Sequence, residues 1–346
     1  MSAETAACAP MDTRHVARSR EQLAIAILIA LAVAAAAASL IVGSGPFAAR
    51  TWLPTLAATD PDMARVIFWE IRVPRTALAL LIGFSLGLTG AALQGFLRNP
   101  LAEPGLVGAS SGAALGAVLI FYFGLLGASP FILPLGGIAG ALLALAILYG
   151  LAGDAPSVTT LILAGVALNA AANALTSLAL NLAPNPFAVY EILFWLLGSV
   201  SDRGIEHVAM AAPFILAGSL AILMSARSLD PLALGEDVAA SLGVNLKRLR
   251  LTVIGGAGLA VGAGVAVSGM IGFIGLVVPH LVRPMVGHRP SKVLLPSGLL
   301  GAALLTFADL AVRLLPGREL KLGVVTALLG APFFLMLILR RRRDLT

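Results

Sequence analysis

Ten apolar segments, separated by short polar stretches, constrain the fold of this chain more than any other feature. Most of them are about 20 residues long, which is the length that an α-helix needs to cross the hydrocarbon core of a bilayer. Only 12% of the residues are charged, against about 25% in a typical soluble domain. We therefore expect an all-α polytopic membrane protein. The segments cover roughly 22–42, 72–97, 107–126, 130–152, 157–182, 206–226, 249–269, 272–286, 294–314 and 322–339.

The segments between these spans add three expectations. The eighth span contains Pro279 and Pro284 and is expected to be a broken helix. Residues 43–71 form a longer polar and amphipathic loop, and residues 183–205 hold a short interfacial helix with aromatic side chains near the headgroups. The chain then divides into a tail over 1–21, one transmembrane domain over 22–340 and a second tail over 341–346.

The basic residues indicate how the chain is oriented. With the N-terminus inside, most of the 23 lysines and arginines lie on the cytoplasmic side, which favours cytoplasmic termini and an even number of spans. The net charge of +6 does not indicate nucleic-acid binding, because the basic residues occur at the ends of the apolar segments. A minority of the arginines remain on the outer side without a topological reason.

A polar stretch at 229–251 interrupts the apolar pattern near the cytoplasmic surface. Its Asp230-Pro231 pair is expected to be an N-cap followed by the first helical turn. A second short helix is expected to follow Glu236 and to stop at Gly243, and Asn245 is expected to cap the next helix. These elements predict a rigid knob on the membrane surface, of the kind that transmits force to a soluble partner.

Several kinds of chemistry are missing from the sequence. No G-x-x-x-x-G-K-[ST] motif is present, so the chain is not expected to bind ATP, and H-E-x-x-H does not occur either. We expect no catalytic residue, no metal site and no cofactor bound by this chain. Carboxylates are also scarce within the spans, whereas a carrier driven by protons or sodium usually needs ionisable groups near the midplane. This scarcity favours transport driven by a separate ATPase over a secondary carrier working alone.

Six blocks of the sequence lie at 72–117, 161–169, 232–251, 268–283, 294–313 and 319–338. Together they resemble the FecCD-type permeases of bacterial ABC importers for iron chelates, haem and cobalamin. The match is specific and covers most of the chain after residue 65. One departure is Lys321, where the family often has proline.

The resemblance implies a type II ABC importer permease fold with ten spanning helices and short cytoplasmic coupling helices over about 230–248. It implies two permease copies, taken here as a homodimer, in the bacterial inner membrane with both termini in the cytoplasm. Two ATP-binding subunits would hold ATP and magnesium, and a periplasmic binding protein would deliver the cargo. The cargo is expected to be an iron chelate, either a siderophore or haem, with cobalamin as the alternative.

The family's functional positions carry over by motif to three groups of residues. The coupling residues that would seat in a cleft of the ATPase are Leu234, Gly235, Glu236, Ala239, Leu242, Gly243 and Val244. The residues implied for docking of the binding protein are Arg72, Arg75 and Arg313, although structural pairing, such as that of Arg313 with Asp309, is the alternative. The residues implied for the gate and the pathway are Asn99, Pro100, Leu101, Ser157, Val158, Thr159, Asn169 and Asn173.

For the last group the residues themselves allow simpler roles. Asn99 and its neighbouring prolines are equally suited to shaping a tight loop. Asn169 and Asn173 lie four residues apart on one helical face and are as well suited to hydrogen bonds between helices as to lining a pathway.

Overall fold

The computed structural model describes residues 13–42, 57, 60–125, 129, 131–153, 158–315 and 320–343, and these form helices and no strand. We number the helices α1 to α13 in chain order. A short 3₁₀ helix, Pro104–Val107, precedes α3. The helices are α1 Thr13–Ile41, α2 Pro61–Phe96, α3 Ala109–Tyr122, α4 Ile132–Ala152, α5 Val158–Asn181, α6 Pro186–Leu196, α7 Ile205–Met224, α8 Ala226–Leu232, α9 Glu236–Ser241, α10 Leu246–Ser268, α11 Ile274–Val286, α12 Pro290–Leu314 and α13 Leu322–Arg343.

Each of the ten predicted spans coincides with a helix. Seven helices are long and apolar enough to cross a membrane, namely α1, α2, α4, α5, α7, α10 and α12. The apolar parts of α3, α11 and α13 are shorter. The helix α6 occupies the segment predicted to hold a short helix between two spans. The expectation of an all-α polytopic membrane protein is therefore confirmed.

The predicted start of the second span was wrong, because α2 begins at Pro61 and not near residue 72. Asp60 caps this helix by accepting a hydrogen bond from the backbone nitrogen of Met63 at 3.0 Å. The helix then passes through a π-helical stretch, Ile67–Arg72, before it continues as an α-helix. The first three turns of α2 contain charged residues, so their hydropathy is as low as that of a loop. The Asp-Pro pair that signals a helix start was nevertheless present in the sequence. Similarly, α1 begins at Thr13, inside the segment assigned to the N-terminal tail.

The helix α11 is continuous, which corrects the expectation that its prolines break it. Pro279 has no backbone N–H, so it cannot donate to the carbonyl of Gly275 one turn earlier. The side-chain nitrogen of Gln94 on α2 approaches that carbonyl at 3.4 Å and the carbonyl of Leu276 at 3.3 Å. A neighbouring helix thus satisfies the backbone group that the proline leaves free.

The helix α2 packs tightly on α11 and α12 through small residues. A methyl group added at Gly83 would lie 2.4 Å from the carbonyl oxygen of Gly301, and one at Gly87 would lie 2.1 Å from that of Ser297. At Gly90 the separation from the carbonyl oxygen of Gly275 would be 1.9 Å. These glycines therefore allow the helices to pack closely.

The polar features of the chain collect at two ends of this bundle. The knob end carries α8, α9 and the start of α10, and Lys292 at the start of α12 forms an ion pair there with Glu21 of α1. The far end carries the end of α1, the beginning of α2 and the end of α12. The first helix therefore begins on the side of the bundle that bears the knob, as the sequence had suggested.

Candidate coupling knob and associated polar sites

The first half of the knob differs from its predicted form. Asp230 does not cap a helix, because it lies with Pro231 inside α8. Its carboxylate accepts hydrogen bonds from the backbone nitrogen and the hydroxyl of Ser291, at 2.9 and 2.7 Å. Ser291 belongs to the first turn of α12, so this carboxylate fastens the knob to a long helix of the bundle.

The second half of the knob has the predicted form. Gly243 lies two residues after the end of α9, and its φ of +85° is a left-handed conformation that glycine adopts without steric cost. The backbone nitrogen of Gly243 donates to the carbonyl of Ala240, and that of Val244 donates to the carbonyl of Ala239, at 2.9 and 3.0 Å. This pair of bonds is the Schellman motif, which closes the helix and fixes the direction of the chain that leaves it.

Two further contacts hold the knob in one shape. The side chain of Asn245 accepts a hydrogen bond from the backbone nitrogen of Arg248 at 2.9 Å and so caps α10, as predicted. Arg250 pairs with Glu236 at 3.0 Å and thereby ties the start of α9 to α10. Ala239 is fully buried beneath these contacts. The knob is consequently a small packed unit.

The knob exposes an apolar stripe. Leu234 is 70% exposed, Val238 is 41% exposed and Leu242 is 63% exposed. Val238 and Leu242 are four residues apart at α9 and therefore share one side of it, and Leu234 lies just before that helix. Val238 was not among the predicted coupling residues, although its spacing from Leu242 was visible in the sequence. An exposed apolar stripe on a rigid, polar-rimmed unit is suited to bind a hydrophobic cleft of another protein.

The arginines assigned to docking are not on the surface of the described chain. Arg72, Arg75 and Arg313 are each no more than 8% exposed. Arg75 binds both carboxylate oxygens of Asp309 at 2.8 to 3.1 Å. Arg313 lies one turn after Asp309 on α12, and its Nε is 3.2 Å from the second carboxylate oxygen. One buried carboxylate thus joins two guanidinium groups.

The same arginines also hold the end of α1. Arg72 donates to the carbonyls of Leu40 and Ile41 at 2.8 and 2.7 Å, and Arg313 donates to the carbonyl of Ser39 at 3.0 Å. Carbonyls at the end of a helix lack partners within the helix, and cations near them are favourable. The geometry therefore supports the structural alternative for these arginines, and their docking role stays a prediction.

The predicted gate segment after α2 is a tight turn. The side-chain oxygen of Asn99 accepts a hydrogen bond from the backbone nitrogen of Leu101 at 3.0 Å, and Pro100 lies between them. The carbonyl of Asn99 accepts from the nitrogen of Ala102 at 3.1 Å. Burial raises the pKa of Glu103, which follows in the same loop. Asn99 is exposed, so its structural role as a turn former leaves part of its surface accessible.

The second predicted gate segment is only partly described. Ser157 lies outside the described residues, Val158 is the first residue of α5 and Thr159 is exposed in its first turn.

The two asparagines of α5 have different surroundings. Asn169 donates to the carbonyl of Gly105 at 2.6 Å and accepts a hydrogen bond from the hydroxyl of Ser111. It therefore joins α5 to α3 and to the 3₁₀ helix, which agrees with the alternative that this asparagine forms hydrogen bonds between helices. Asn173 is exposed, and only 22% of the residues in the apolar stretch of α5 are buried. An exposed helical face with a polar side chain remains open to a pathway or to a neighbouring subunit.

Among the described residues, no three histidine, cysteine, aspartate or glutamate side chains are grouped closely enough to hold a metal ion.

Comparisons with known proteins agree on the class of protein. The model of the FecCD transport family matches residues 27–340. An uncharacterised ABC transporter permease of Bacillus subtilis, YvrB, is 41% identical over 82% of this chain and 82% of its own length. The cobalamin import system permease BtuC of Halobacterium salinarum is 37% identical over 95% of this chain and 89% of its own length.

Two further similarities bear on the cargo. The hemin transport system permease HmuU of Yersinia pestis is 38% identical over 84% of this chain and 88% of its own length. A solved structure of an ABC transporter assigned to the metal-chelate type, in an inward-facing conformation, superposes with a TM-score of 0.82. It is 33% identical and covers 91% of this chain and 98% of its own.

Proposed function

This chain belongs to the FecCD transport family and is a permease subunit of an ABC importer, and we propose that its cargo is an iron chelate, either a siderophore or haem. The observation that carries the proposal is the similarity to the metal-chelate type transporter over 98% of that chain's length. The similarity to a hemin permease supports the same class of cargo. Cobalamin is the second candidate, because a cobalamin permease is 37% identical over 95% of this chain and so matches as well as the iron-related relatives.

The proposed assembly contains two copies of this chain, two ATP-binding subunits and a periplasmic binding protein. The chain lies in the bacterial inner membrane, with the knob and both termini in the cytoplasm. ATP and magnesium bind to the ATPase subunits and not to this chain. The exposed face of α5, which includes Asn173, is the surface that we assign to the pathway between the two copies.

Energy reaches this chain through the knob. Leu234, Val238 and Leu242 supply the apolar contact with the ATPase, and Gly243 and Val244 fix the shape of the turn behind it. Because a packed knob moves as a unit, a displacement of the ATPase surface displaces α8 and α9 together.

The cargo is tested with the chain, its ATPase and its binding protein in proteoliposomes. Uptake of a ferric siderophore, haemin and cyanocobalamin is measured with and without ATP. We expect ATP-dependent accumulation of one of the two iron chelates. Accumulation of cyanocobalamin alone would overturn the iron proposal and leave the permease role intact. Uptake without the ATPase would indicate a secondary carrier.

The knob is tested in the same preparation. Replacing both Leu234 and Leu242 by glutamine removes the two most exposed apolar side chains of the stripe, and we expect loss of ATPase assembly. The control is Ala240→Gln, which adds the same group to the opposite, exposed face of α9. Equal assembly of the double variant and the control would show that the stripe is not the coupling surface.

A further inference from the structure

A cavity of about 190 Å³ lies at the knob end, between α2, the segment around the start of α12 and the residue that follows α8. One water molecule needs only roughly 10–15 Å³ of such space, so the cavity has room for a larger polar group. Small side chains, including Ala91, Gly95 and Ala233, leave this space open. The polar side chains of its wall are basic or neutral and include no carboxylate. They belong to Gln94, Arg98, Arg283 and His288.

The guanidinium group of Arg283 is held in position at the wall. It donates to the side-chain oxygen of Gln94 at 2.6 Å. Gln94 is only 3% exposed, and its nitrogen is directed to the backbone carbonyls of α11. A buried amide that is satisfied on both sides fixes the arginine, so a ligand that binds there need not order this side chain.

The other two basic side chains have no partner within the described part of the chain. Arg98 has a φ of +49°, which is unusual for a residue with a side chain. Its side chain forms no hydrogen bond or ion pair with any described residue, and the same holds for the side chain of His288. Strained residues of this kind occur often at ligand sites. The strain here places an unpaired guanidinium group beside the positioned one.

The nearby carboxylates are engaged elsewhere. Asp230 binds Ser291, Glu21 binds Lys292 and Glu236 binds Arg250. None of these groups lines the cavity. Within the described part of the chain, the wall of the cavity thus carries basic side chains and no carboxylate.

We propose that this cavity binds a phosphate group, carried either by the headgroup of an anionic phospholipid or by free phosphate. Guanidinium groups match the geometry of phosphate oxygens and form strong charge-assisted hydrogen bonds with them. Basic pockets between transmembrane helices at a membrane surface are suited to anionic headgroups. Because Ala233 adjoins the knob, an occupied cavity links the binding of phosphate to the position of the knob. The proposal does not depend on the identity of the cargo.

The lipid source is tested by native mass spectrometry of the purified full chain with added phosphatidylglycerol or phosphatidylcholine. We expect retention of phosphatidylglycerol by the natural chain and about tenfold less by Arg98→Gln, which loses one charge-assisted contact. His288→Gln is a second variant at an exposed position. The matched control is Arg289→Gln, because Arg289 is exposed next to the cavity but does not line it.

The free source is tested in nanodiscs of phosphatidylcholine, where the thermal unfolding midpoint is measured in inorganic phosphate and in chloride at equal ionic strength. An unfolding midpoint that is higher in phosphate than in chloride, with the difference lost in Arg98→Gln, would identify free phosphate as the ligand. The unfolding midpoints in chloride show whether each variant is folded. The proposal is overturned if neither ligand is preferred, or if both cavity variants bind like the Arg289→Gln control.

Discussion

Asp309 should be the carboxylate whose loss most destabilises the far end of the bundle. It is 2% exposed and lies between two guanidinium groups, with its oxygens 2.8 to 3.1 Å from the side-chain nitrogens of Arg75 and 3.2 Å from Nε of Arg313. The substitution Asp309→Asn keeps the shape of the side chain and removes its charge. Both guanidinium groups then remain buried without this counter-charge.

The size of the effect follows from burial. Removing one partner of a buried ion pair costs about 3–5 kcal/mol, because the remaining charge stays in a medium of low dielectric constant. The backbone carbonyl of Ser39, which Arg313 also binds, remains in place, so we expect the lower part of that range. A suitable control is Glu236→Gln, because the Arg250–Glu236 pair is more exposed and has only one contact of 3.0 Å. Exposed pairs contribute about 0.2–1 kcal/mol.

The two variants are compared by equilibrium unfolding of the purified chain in detergent. Asp309→Asn should lower the free energy of unfolding by at least about 3 kcal/mol, and Glu236→Gln by no more than about 1 kcal/mol. A second measurement is proteolysis near the end of α1, which should become faster only in Asp309→Asn. If the two variants have the same stability, the arginine cluster does not hold α1, α2 and α12 together, and the structural role assigned to it is wrong.

Three other outcomes are expected. Gly90→Ala places a methyl group 1.9 Å from a backbone carbonyl of α11 and should lower the unfolding midpoint by an amount equivalent to about 1–3 kcal/mol. Gly264→Ala, whose methyl group meets nothing closer than 3.6 Å, should leave it unchanged or higher; equal effects would refute the close packing. Gly243→Ala forces a side chain into a φ of +85° at a cost of about 1–2 kcal/mol. It should impair ATP hydrolysis coupled to transport, and normal coupling would count against the knob. In a background without cysteine, Ser241→Cys on the knob should be shielded from an impermeant thiol reagent in spheroplasts and Glu191→Cys should be labelled; the reverse pattern would invert the topology.

The parts of the fold that the sequence predicted depend on local chemistry. Apolar length located the spans, and the glycine and asparagine of the knob located its turn because a left-handed stop and an N-cap are properties of a few adjacent residues. The beginning of α2 was missed for a related reason. Its first turns are amphipathic, and hydropathy alone does not distinguish such turns from a loop.

The parts that could not be predicted depend on partners far apart in the sequence. Asp230 was assigned as a cap because its true partner, Ser291, lies 61 positions away. Arg75 looked like a free outer charge because Asp309 is separated from it by 234 positions. A single sequence shows that such a side chain can pair, but not that it does. The resemblance to the family implied roles for the arginines, but it did not show that their side chains are buried.

The helix α12 connects the two ends of the molecule. It has 25 residues and is therefore about 37 Å long. Its first turn is hydrogen-bonded to the knob through Ser291, and its last turns bind α1 and α2 through Asp309 and Arg313. A tilt of about 5° over that length is a stroke of roughly 3 Å at the opposite end. Under the coupling role proposed for the knob, a displacement of Ser291 would reach the far end along this one helix, which contains Pro296 near its start.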